Sequence, residues 1–300
     1  MKKYRSLIMP AAIVVGILLH HYLCHAIHLV PYLIFIILLL AYSGLHFRRL
    51  RVRKENVIML IFHVLLAVGG YYLCISFDKT VAQALLVGVI CPVAASSSVI
   101  ACMLGGDKEV SIAHTLIDNV MVAFVAPLLF TIVGTNQNLP FFTSMIMILL
   151  KITPIIILPL IIVMFLKRFK PKVNEKIKKF EDYSLTIWAL ALMINFAQTT
   201  EYIFQFGKGN EHIIVILIGV SLVMCVIQFS LGKLIGVKSH QTISCGQGLG
   251  QKNTGLGIWM AYTYFSPLTS VYLCAYSLWQ NGFNSLQLYL HDKKIKVKEK

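Results

Sequence analysis

The residues with the clearest chemical potential lie in one apolar stretch, residues 241–265, which is long enough to cross a bilayer. Its middle holds Lys252, Asn253 and Thr254 among several glycines. Each glycine costs a helix about 1 kcal/mol relative to alanine, and a lysine at bilayer depth costs several kcal/mol unless it has a partner. Irregular polar backbone at that depth must be buried in protein or line a watery cavity, so the pattern predicts a broken transmembrane helix.

A second polar set lies in another apolar segment, VSIAHTLIDNV. Ser111, His114, Thr115 and Asp118 are spaced +0, +3, +4 and +7, which places them on one helix face. Ionisable groups inside a membrane usually pair with one another, so we expect Asp118 to pair with Lys252 and His114 to lie close enough to share a proton. The pair is either functional or a static structural contact. As a lone histidine in its segment, His63 is more typical of a structural role.

A further interruption precedes this segment. Cys91-Pro92 is followed by small residues and three serines, Ser96 to Ser98. Proline removes a backbone donor and clashes with the preceding turn, and the serine hydroxyls can serve a loosened backbone. Two interrupted spans in corresponding positions favour a substrate site of the kind found in secondary transporters. The alternative is an ordinary proline kink beside a glycine-rich packing helix.

Composition defines the class of protein. The 300 residues are 58% hydrophobic and only 13% charged, far below the charged fraction of about 25% in soluble domains. The net charge of +15 does not indicate a nucleic-acid partner, because the basic residues cluster between apolar runs. We therefore predict an all-α polytopic membrane protein, a single transmembrane domain over 1–300 whose partner is the lipid bilayer. The ten expected spans are 6–24, 27–47, 56–76, 81–104, 110–134, 141–166, 183–200, 212–235, 241–265 and 266–290.

The charges also predict orientation. With Met1 inside, 23 of the 27 Lys and Arg residues fall in the termini and loops on the inner side. We expect a multi-pass protein of the inner (cytoplasmic) membrane with both termini in the cytoplasm. Five spans per half would insert two related halves, about 1–136 and 137–292, with opposite orientation, which is the arrangement of inverted repeats.

Enzyme motifs are absent from the sequence. It has no Gly-rich phosphate loop ending in GK[ST] and no HExxH pair, and no nucleophile elbow frames Ser97, His114 and Asp118 as a hydrolase site. The seven cysteines lack metal-ligand spacing and are typical of small buried hydrophobic residues. We expect neither an enzyme nor a cofactor.

Two motifs resemble the bile acid:sodium symporter family of secondary transporters. CPVAASSSVIACMLGGDKEVSIAHT is similar to the family's first crossing segment and GQKNTGLGIWMAYTYFSP to its second, with weaker support from AYSGLHF and LWQNGFNS. The resemblance implies two inverted five-span repeats, with spans 4 and 9 unwound and crossing. A panel of spans 1, 2, 6 and 7 would face a core of spans 3–5 and 8–10. It also implies a small organic anion as substrate, bound near Ser98, Asn253, Thr254 and Asn281.

The sequence departs from this family where sodium-coupled members bind their ions. Ser97, Ser111 and Thr115 match the family's hydroxyl ligands, but Ser98 replaces an asparagine. Gly248 stands where the resemblance places a glutamate, and Lys252, next to Gln251, replaces a glutamine. Two unit charges about 4 Å apart repel by roughly 4 kcal/mol at an effective dielectric constant near 20, so an ammonium group there would oppose sodium.

We therefore expect transport that is proton-coupled, exchange-type or uncoupled. The residues expected to carry coupling are listed together: Lys252, Asp118, His114, Ser97, Ser111, Thr115 and Gln251. Two alternatives remain open. One is a sodium-dependent organic anion symporter with a rearranged ion site, for which Ser97, Ser98, Ser111 and Thr115 are the vestigial ligands. The other is a membrane sensor that binds a ligand without moving it.

Overall fold

The computed structural model describes residues 5–44, 52–94, 96–133, 140–206 and 208–298. Within these ranges the chain is almost entirely helical and contains no β-strand. The all-α prediction is confirmed at this level. The boundaries of the ten expected spans and the inverted repeat remain predictions.

The helices of the first half are α1 (Arg5–Leu18), α2 (His20–Leu23), α3 (Val30–Ser43), α4 (Lys54–Cys74), α5 (Lys79–Ile90), α6 (Ser96–Met103) and α7 (Lys108–Val133). Those of the second half are α8 (Phe141–Phe169), α9 (Pro171–Lys178), α10 (Ser184–Phe206), α11 (Glu211–Ile235), α12 (Thr242–Gly250), α13 (Thr254–Tyr264) and α14 (Ser270–Lys298). Short 3₁₀ turns at Cys24–Leu29, Glu181–Tyr183 and Pro267–Thr269 complete the connections.

Four helical segments among the described residues are individually long and apolar enough to cross a bilayer. They are His20–Ser43, Lys54–Cys74, Lys108–Phe130 and Glu211–Ile235. The fourth and ninth expected spans do not qualify because each is divided into two short helices, α5 with α6 and α12 with α13. Irregular backbone of this kind at membrane depth requires protein neighbours that satisfy its polar groups.

We name two groups of helices, which are also in contact with each other, most extensively where α7 packs on α8. The panel group consists of α1, α2, α3, α8, α9 and α10, in which α1 and α3 pack on α10 and α3 packs on α8. The core group consists of α4 to α7 and α11 to α14, in which α4 packs on α5, α11 on α12 and α14, and α6 on α7 and α12. Contacts of α14 with α1 and α10, of α3 with α6 and of α7 with α8 join the groups. Both helix breaks belong to the core group.

One end of the bundle is called the basic end here, because two lysine or arginine residues with ion-pair partners, Arg53 and Lys108, lie there. It contains the starts of α4 and α7, with Arg53 bound to Asp107 and Lys108 bound to Glu181. The second ion pair links the core group to the panel group, since Lys108 begins α7 and Glu181 lies between α9 and α10. An apolar cluster from α3, α6, α10 and α14 closes the gap between the groups: Ile37, Ala41, Val99, Ile100, Leu104, Leu185, Trp188, Leu192, Phe196 and Leu288.

Candidate functional site: a buried lysine between two helix breaks

The first break lies between α5 and α6, and the second lies between α12 and α13. The backbone groups of the two breaks form hydrogen bonds with each other. Val93 and Lys252 form an isolated antiparallel bridge. The amide of Ala94 donates to the Gln251 carbonyl at 3.1 Å, and the amide of Asn253 donates to the Pro92 carbonyl at 2.7 Å. Buried backbone groups are costly when unpaired, so this exchange explains how both helices can stop inside the protein.

Side chains fix the second break in place. Gln280 of α14 brackets the Lys252 peptide units, because its Oε1 accepts from the Lys252 amide at 2.8 Å and its Nε2 donates to the Lys252 carbonyl at 3.2 Å. Asn253 caps α13, since its Oδ1 accepts from the Leu256 amide at 3.2 Å. Tyr276 donates to the carbonyl of Gly250, the last residue of α12, at 2.7 Å. The position of Lys252 is therefore set by α14 as well as by its own segment.

The Lys252 side chain ends on a histidine, not on a carboxylate. Its Nζ lies 2.7 Å from His63 Nε2, and His63 Nδ1 lies 2.6 Å from Asp118 Oδ1. The expected direct pair of Asp118 with Lys252 is therefore wrong in detail, because among the described residues the carboxylate contacts the imidazole that lies between them. Asp118 and His63 are 0% exposed and Lys252 is 1% exposed. We call these three side chains the buried triad.

The carboxylate of the triad is held as an acceptor. Asp118 Oδ1 faces His63, and Oδ2 accepts from the Val93 amide at 2.8 Å. Val93 belongs to the first break, so Asp118 ties α7 to that break while His63 ties α4 to the second. An ionised carboxylate accepts at both oxygens, which fits these two donors. The triad thus joins both breaks through one set of hydrogen bonds.

The Nε2 atom of His63 has two polar neighbours, and no single protonation state of the ring can form hydrogen bonds with both. Its Nε2 lies 2.5 Å from the Val89 carbonyl as well as 2.7 Å from Lys252 Nζ. An ammonium needs an unprotonated Nε2 as acceptor, whereas the carbonyl needs a proton on that nitrogen. One positive charge can therefore reside on Lys252 or on His63, with Asp118 as the counter-charge in both cases. A short proton shift between the two nitrogens interconverts the arrangements.

The other expected coupling residues lie around the triad without joining it. His114 is 1% exposed, and neither ring nitrogen has a hydrogen-bond partner of normal geometry among the described residues. The ring packs on Gly248, where an added Cβ would lie 2.8 Å from His114 Cδ2. Gln251 accepts from Ser96 at 3.1 Å and donates to Gln247 at 2.5 Å. The expected proton sharing between His114 and the Asp118–Lys252 pair thus has no hydrogen bond to support it here.

The sodium sites that the resemblance implies lack two of their ligands in this chain, since Gly248 and Lys252 stand at those positions. Ser111 and Thr115 donate to carbonyls of their own helix region, both at 2.9 Å, while Ser97 and Ser98 are buried in α6. The Asp118 oxygens are both engaged, and Gly248 supplies no carboxylate. Hard cations are bound by several oxygen ligands, and an ammonium group close by would repel a sodium ion. The residues present do not fit the sodium sites that the resemblance implies. Within the described ranges, no group of three or more His, Cys, Asp or Glu side chains is arranged to hold a metal ion.

A cavity runs beside the breaks between the two groups. A part of about 570 Å³ has mainly apolar walls from both groups, including Ile34, Leu256 and Trp259, with polar groups from Asn195 and Gln198. It shares lining residues with a smaller part of about 60 Å³. The smaller part is lined by polar residues of the breaks and of α14, among them Ser96, Lys252, Asn253, Thr254, Ser277, Gln280 and Asn281. Three expected substrate-binding residues, Asn253, Thr254 and Asn281, thus line one space, whereas Ser98 lies outside these linings.

Comparison with known proteins identifies the family of the chain. The family described as the SBF-like CPA transporter family matches residues 9–282, nearly the whole chain. The chain belongs to this family. A protein of Bacillus subtilis (strain 168), described as an uncharacterized sodium-dependent transporter, YocS, is 24% identical over 230 residues, which cover 75% of this chain and 70% of that protein. Membership of the SBF-like CPA transporter family confirms the resemblance to bile acid:sodium symporters and the membrane-transport class.

Two residues of the site escaped the sequence analysis. His63 gave no signal beyond being an imidazole in an apolar span, and nothing in its neighbourhood pointed to residues 55 and 189 positions away. Gln280 lies in LWQNGFNS, a motif with only a weak resemblance. Its role depends on the backbone of another broken helix, which no local pattern encodes.

Proposed function

We propose that this member of the SBF-like CPA transporter family is a secondary transporter of a small organic anion, working by alternating access and coupled to protons. The observation that carries the proposal is the buried triad, in which an ammonium, an imidazole and a carboxylate join the two helix breaks beside the cavity. Ionisable groups held at membrane depth by one another are typical of proton relays.

The cavity suits an amphipathic anion. Its larger part is walled mainly by apolar side chains, and a space of about 570 Å³ matches the usual size of small-molecule sites. At the polar end, Asn253 and Thr254 stand at the start of α13 and line the smaller part of the cavity. Helix N-termini favour carboxylates and other anions. The anionic group would lie there, near Lys252, with the apolar part toward Ile34 and Trp259.

Coupling follows from charge. With one proton shared by Lys252 and His63 the triad is neutral overall, and with that proton removed it carries the charge of Asp118. An anion beside Lys252 interacts more favourably with the protonated triad, so anion binding and proton binding strengthen each other. A carrier with this linkage moves one proton with each anion and needs no metal ion.

A sodium-coupled cycle is the second candidate, and the description of the Bacillus subtilis relative as sodium-dependent favours it. The donor set around the breaks argues against it, since Gly248 lacks a carboxylate and the Lys252 ammonium lies in the same region. The two candidates differ in which cation gradient drives uptake.

The proposed topology keeps ten spans in two inverted repeats, with both termini in the cytoplasm of a cell with an inner membrane. The packing of α1 and α3 on α10, and of α11 on α12 and α14, supports the division into spans 1, 2, 6 and 7 and spans 3–5 and 8–10. Under this topology the basic end faces the cytoplasm, and the ion pair of Lys108 with Glu181 lies on that side.

The test is uptake into proteoliposomes. Carboxylates ranging from aliphatic to steroid acids are first screened for thermal stabilisation of the purified protein, since a ligand stabilises the state that binds it. Uptake of the best stabiliser is then measured with an inward proton gradient, with sodium or choline outside. We expect uptake that follows the proton gradient and is unchanged by choline. Uptake that requires sodium and ignores pH would overturn proton coupling.

Two variants separate coupling from substrate binding. Lys252→Gln removes the ammonium, and we expect the pH dependence of uptake to disappear while the carboxylate still stabilises the protein, although more weakly than it stabilises the unaltered protein. His63→Gln keeps the ammonium but removes the shared proton site, and we expect the same loss. Thr200→Val, which removes the same kind of side-chain hydrogen bond to a carbonyl four residues earlier but within α10, serves as the matched control and should retain pH-dependent uptake. Complete loss of ligand stabilisation in Lys252→Gln would instead assign Lys252 to the substrate.

A further inference from the structure

One face of α14 runs from the cavity to the apolar cluster at the basic end. Ser277, Asn281, Asn284 and Leu288 are spaced +0, +4, +7 and +11, which places them along a single helix face. Ser277 and Asn281 line the smaller part of the cavity, and Leu288 belongs to the cluster that closes the gap between the panel and core groups. With a rise of about 1.5 Å per residue, Asn284 lies about 4.5 Å beyond Asn281 and about 6 Å before Leu288.

The side chain of Asn284 is buried but forms no hydrogen bond with the described residues in this conformation. The residue is 0% exposed, and neither its side-chain oxygen nor its side-chain nitrogen has a hydrogen-bond partner among the described residues. By contrast, the Asn281 amide, one turn away, donates to the Ser277 carbonyl at 2.7 Å. A buried unpaired amide costs a protein more than an apolar residue of the same size, so its presence calls for an explanation.

The position of Asn284 supplies that explanation. Along α14 it lies between Asn281, the last residue of this helix that lines the cavity, and Leu288, which belongs to the apolar cluster between the two groups. Beside this cluster, the pair of Lys108 with Glu181 links the groups again. If the groups separate at the basic end, as alternating access requires, this is the part of α14 that next meets water and substrate.

We propose that Asn284 is a release-side subsite for the anionic group of the substrate. Its side-chain NH₂ would donate to a carboxylate oxygen as the anion leaves Asn281 and moves toward the basic end, in the conformation with that end open. The inference rests on the proposed function and adds to it a residue that acts only in the second half of the cycle. In the conformation described here, the Asn284 side chain has no hydrogen-bond partner among the described residues and lies next to the apolar cluster along α14.

The first test needs no substrate. Asn284→Cys is made with the exposed Cys102 replaced by serine, and membrane-impermeant maleimide is added from the basic side of sealed vesicles. Leu286→Cys is the matched control, since Leu286 lies two residues further on, within the last expected span, and its side chain, 53% exposed on the other side of the helix, would face lipid under the proposed topology. We expect Asn284→Cys to label at least about tenfold faster, because that face meets water when the basic end opens. Equal labelling of the two sites would overturn the proposal.

The second test measures transport and binding separately. Asn284→Leu should raise the melting temperature of the substrate-free protein by a few degrees, because it removes the unpaired amide. It should lower the maximal rate of carboxylate uptake about tenfold, while half-maximal thermal stabilisation by that carboxylate stays unchanged. Asn284→Ser, which keeps a hydrogen-bonding group, should recover part of the rate. Unchanged uptake in Asn284→Leu would overturn the subsite, with the proposed function intact.

Failure of the proposed function gives a different pattern. In that case the unaltered protein takes up none of the carboxylates under any gradient, whatever residue 284 is. Labelling of Asn284→Cys from the basic side would then still show that this face opens to water. The two outcomes are read from different proteins and cannot be confused.

Discussion

Replacing Asp118 with asparagine should destabilise the protein strongly, because it leaves a charge without its counter-charge in a fully buried site. The carboxylate accepts from His63 at 2.6 Å and from the Val93 amide at 2.8 Å. Asparagine has one acceptor oxygen, so it can serve one of these donors and must present its NH₂ to the other. The positive charge on Lys252 or His63 then remains inside the protein without a partner.

The magnitude follows from measured behaviour of buried pairs. Removing one member of a buried pair typically costs about 3–5 kcal/mol, whereas removing both charges together costs much less. Since 1 kcal/mol shifts the melting temperature of a domain of 150–250 residues by about 2–4 °C, Asp118→Asn should lower it by roughly 10 °C. The double variant Asp118→Asn, Lys252→Gln should regain at least half of that loss.

The assay is thermal unfolding in detergent, followed by tryptophan fluorescence. Thr115→Val, one turn earlier in α7, is the control, because its hydroxyl bonds only to the Ser111 carbonyl and its loss should change the melting temperature by about 2 °C or less. The reasoning fails if Asp118→Asn melts within about 2 °C of the unaltered protein. It fails equally if the double variant is less stable than the single one.

Three further outcomes are expected. Gln280→Leu removes both hydrogen bonds to the backbone of the second break and should lower the melting temperature by about 5 °C and uptake about tenfold, as measured by unfolding and by vesicle assay. Gly248→Ala places a Cβ 2.8 Å from His114 Cδ2 and should reduce stability measurably, and His114→Ala in the same chain should restore it; a neutral Gly248→Ala would contradict this packing. Lys108→Gln removes the ion pair with Glu181 and should speed maleimide labelling of the Asn284→Cys site by opening the basic end. The melting temperature should change little, because the pair is partly exposed. The charge exchange Lys108→Glu with Glu181→Lys should slow the labelling again.

The helix breaks were accessible from the sequence because their causes are local. Proline at 92 and glycines around Lys252 weaken a helix wherever they occur, and the structure ends α5 at Ile90 and α12 at Gly250. The proximity of Asp118 to Lys252 was also inferable, since a buried lysine needs a counter-charge and few acids lie inside spans.

The imidazole between them was not inferable. His63 lies in α4, and which residue of α4 faces both α7 and the second break depends on how three separate helices pack. The same limit applies to Gln280, whose side chain recognises backbone groups of another segment. A sequence pattern can indicate that a buried polar residue needs a partner. Tertiary packing determines which distant residue becomes that partner.

The charge of the buried triad has a consequence for electrical driving force. Moving one unit charge across a membrane potential of 100 mV changes its energy by about 2.3 kcal/mol. The empty core group returns without the shared proton and carries the single negative charge of Asp118, and the loaded one carries the same charge because the proton neutralises the triad and the monovalent anion adds one negative charge. The complete cycle therefore moves no net charge, and clamping the vesicle voltage with valinomycin and potassium would leave the final accumulation of the anion unchanged.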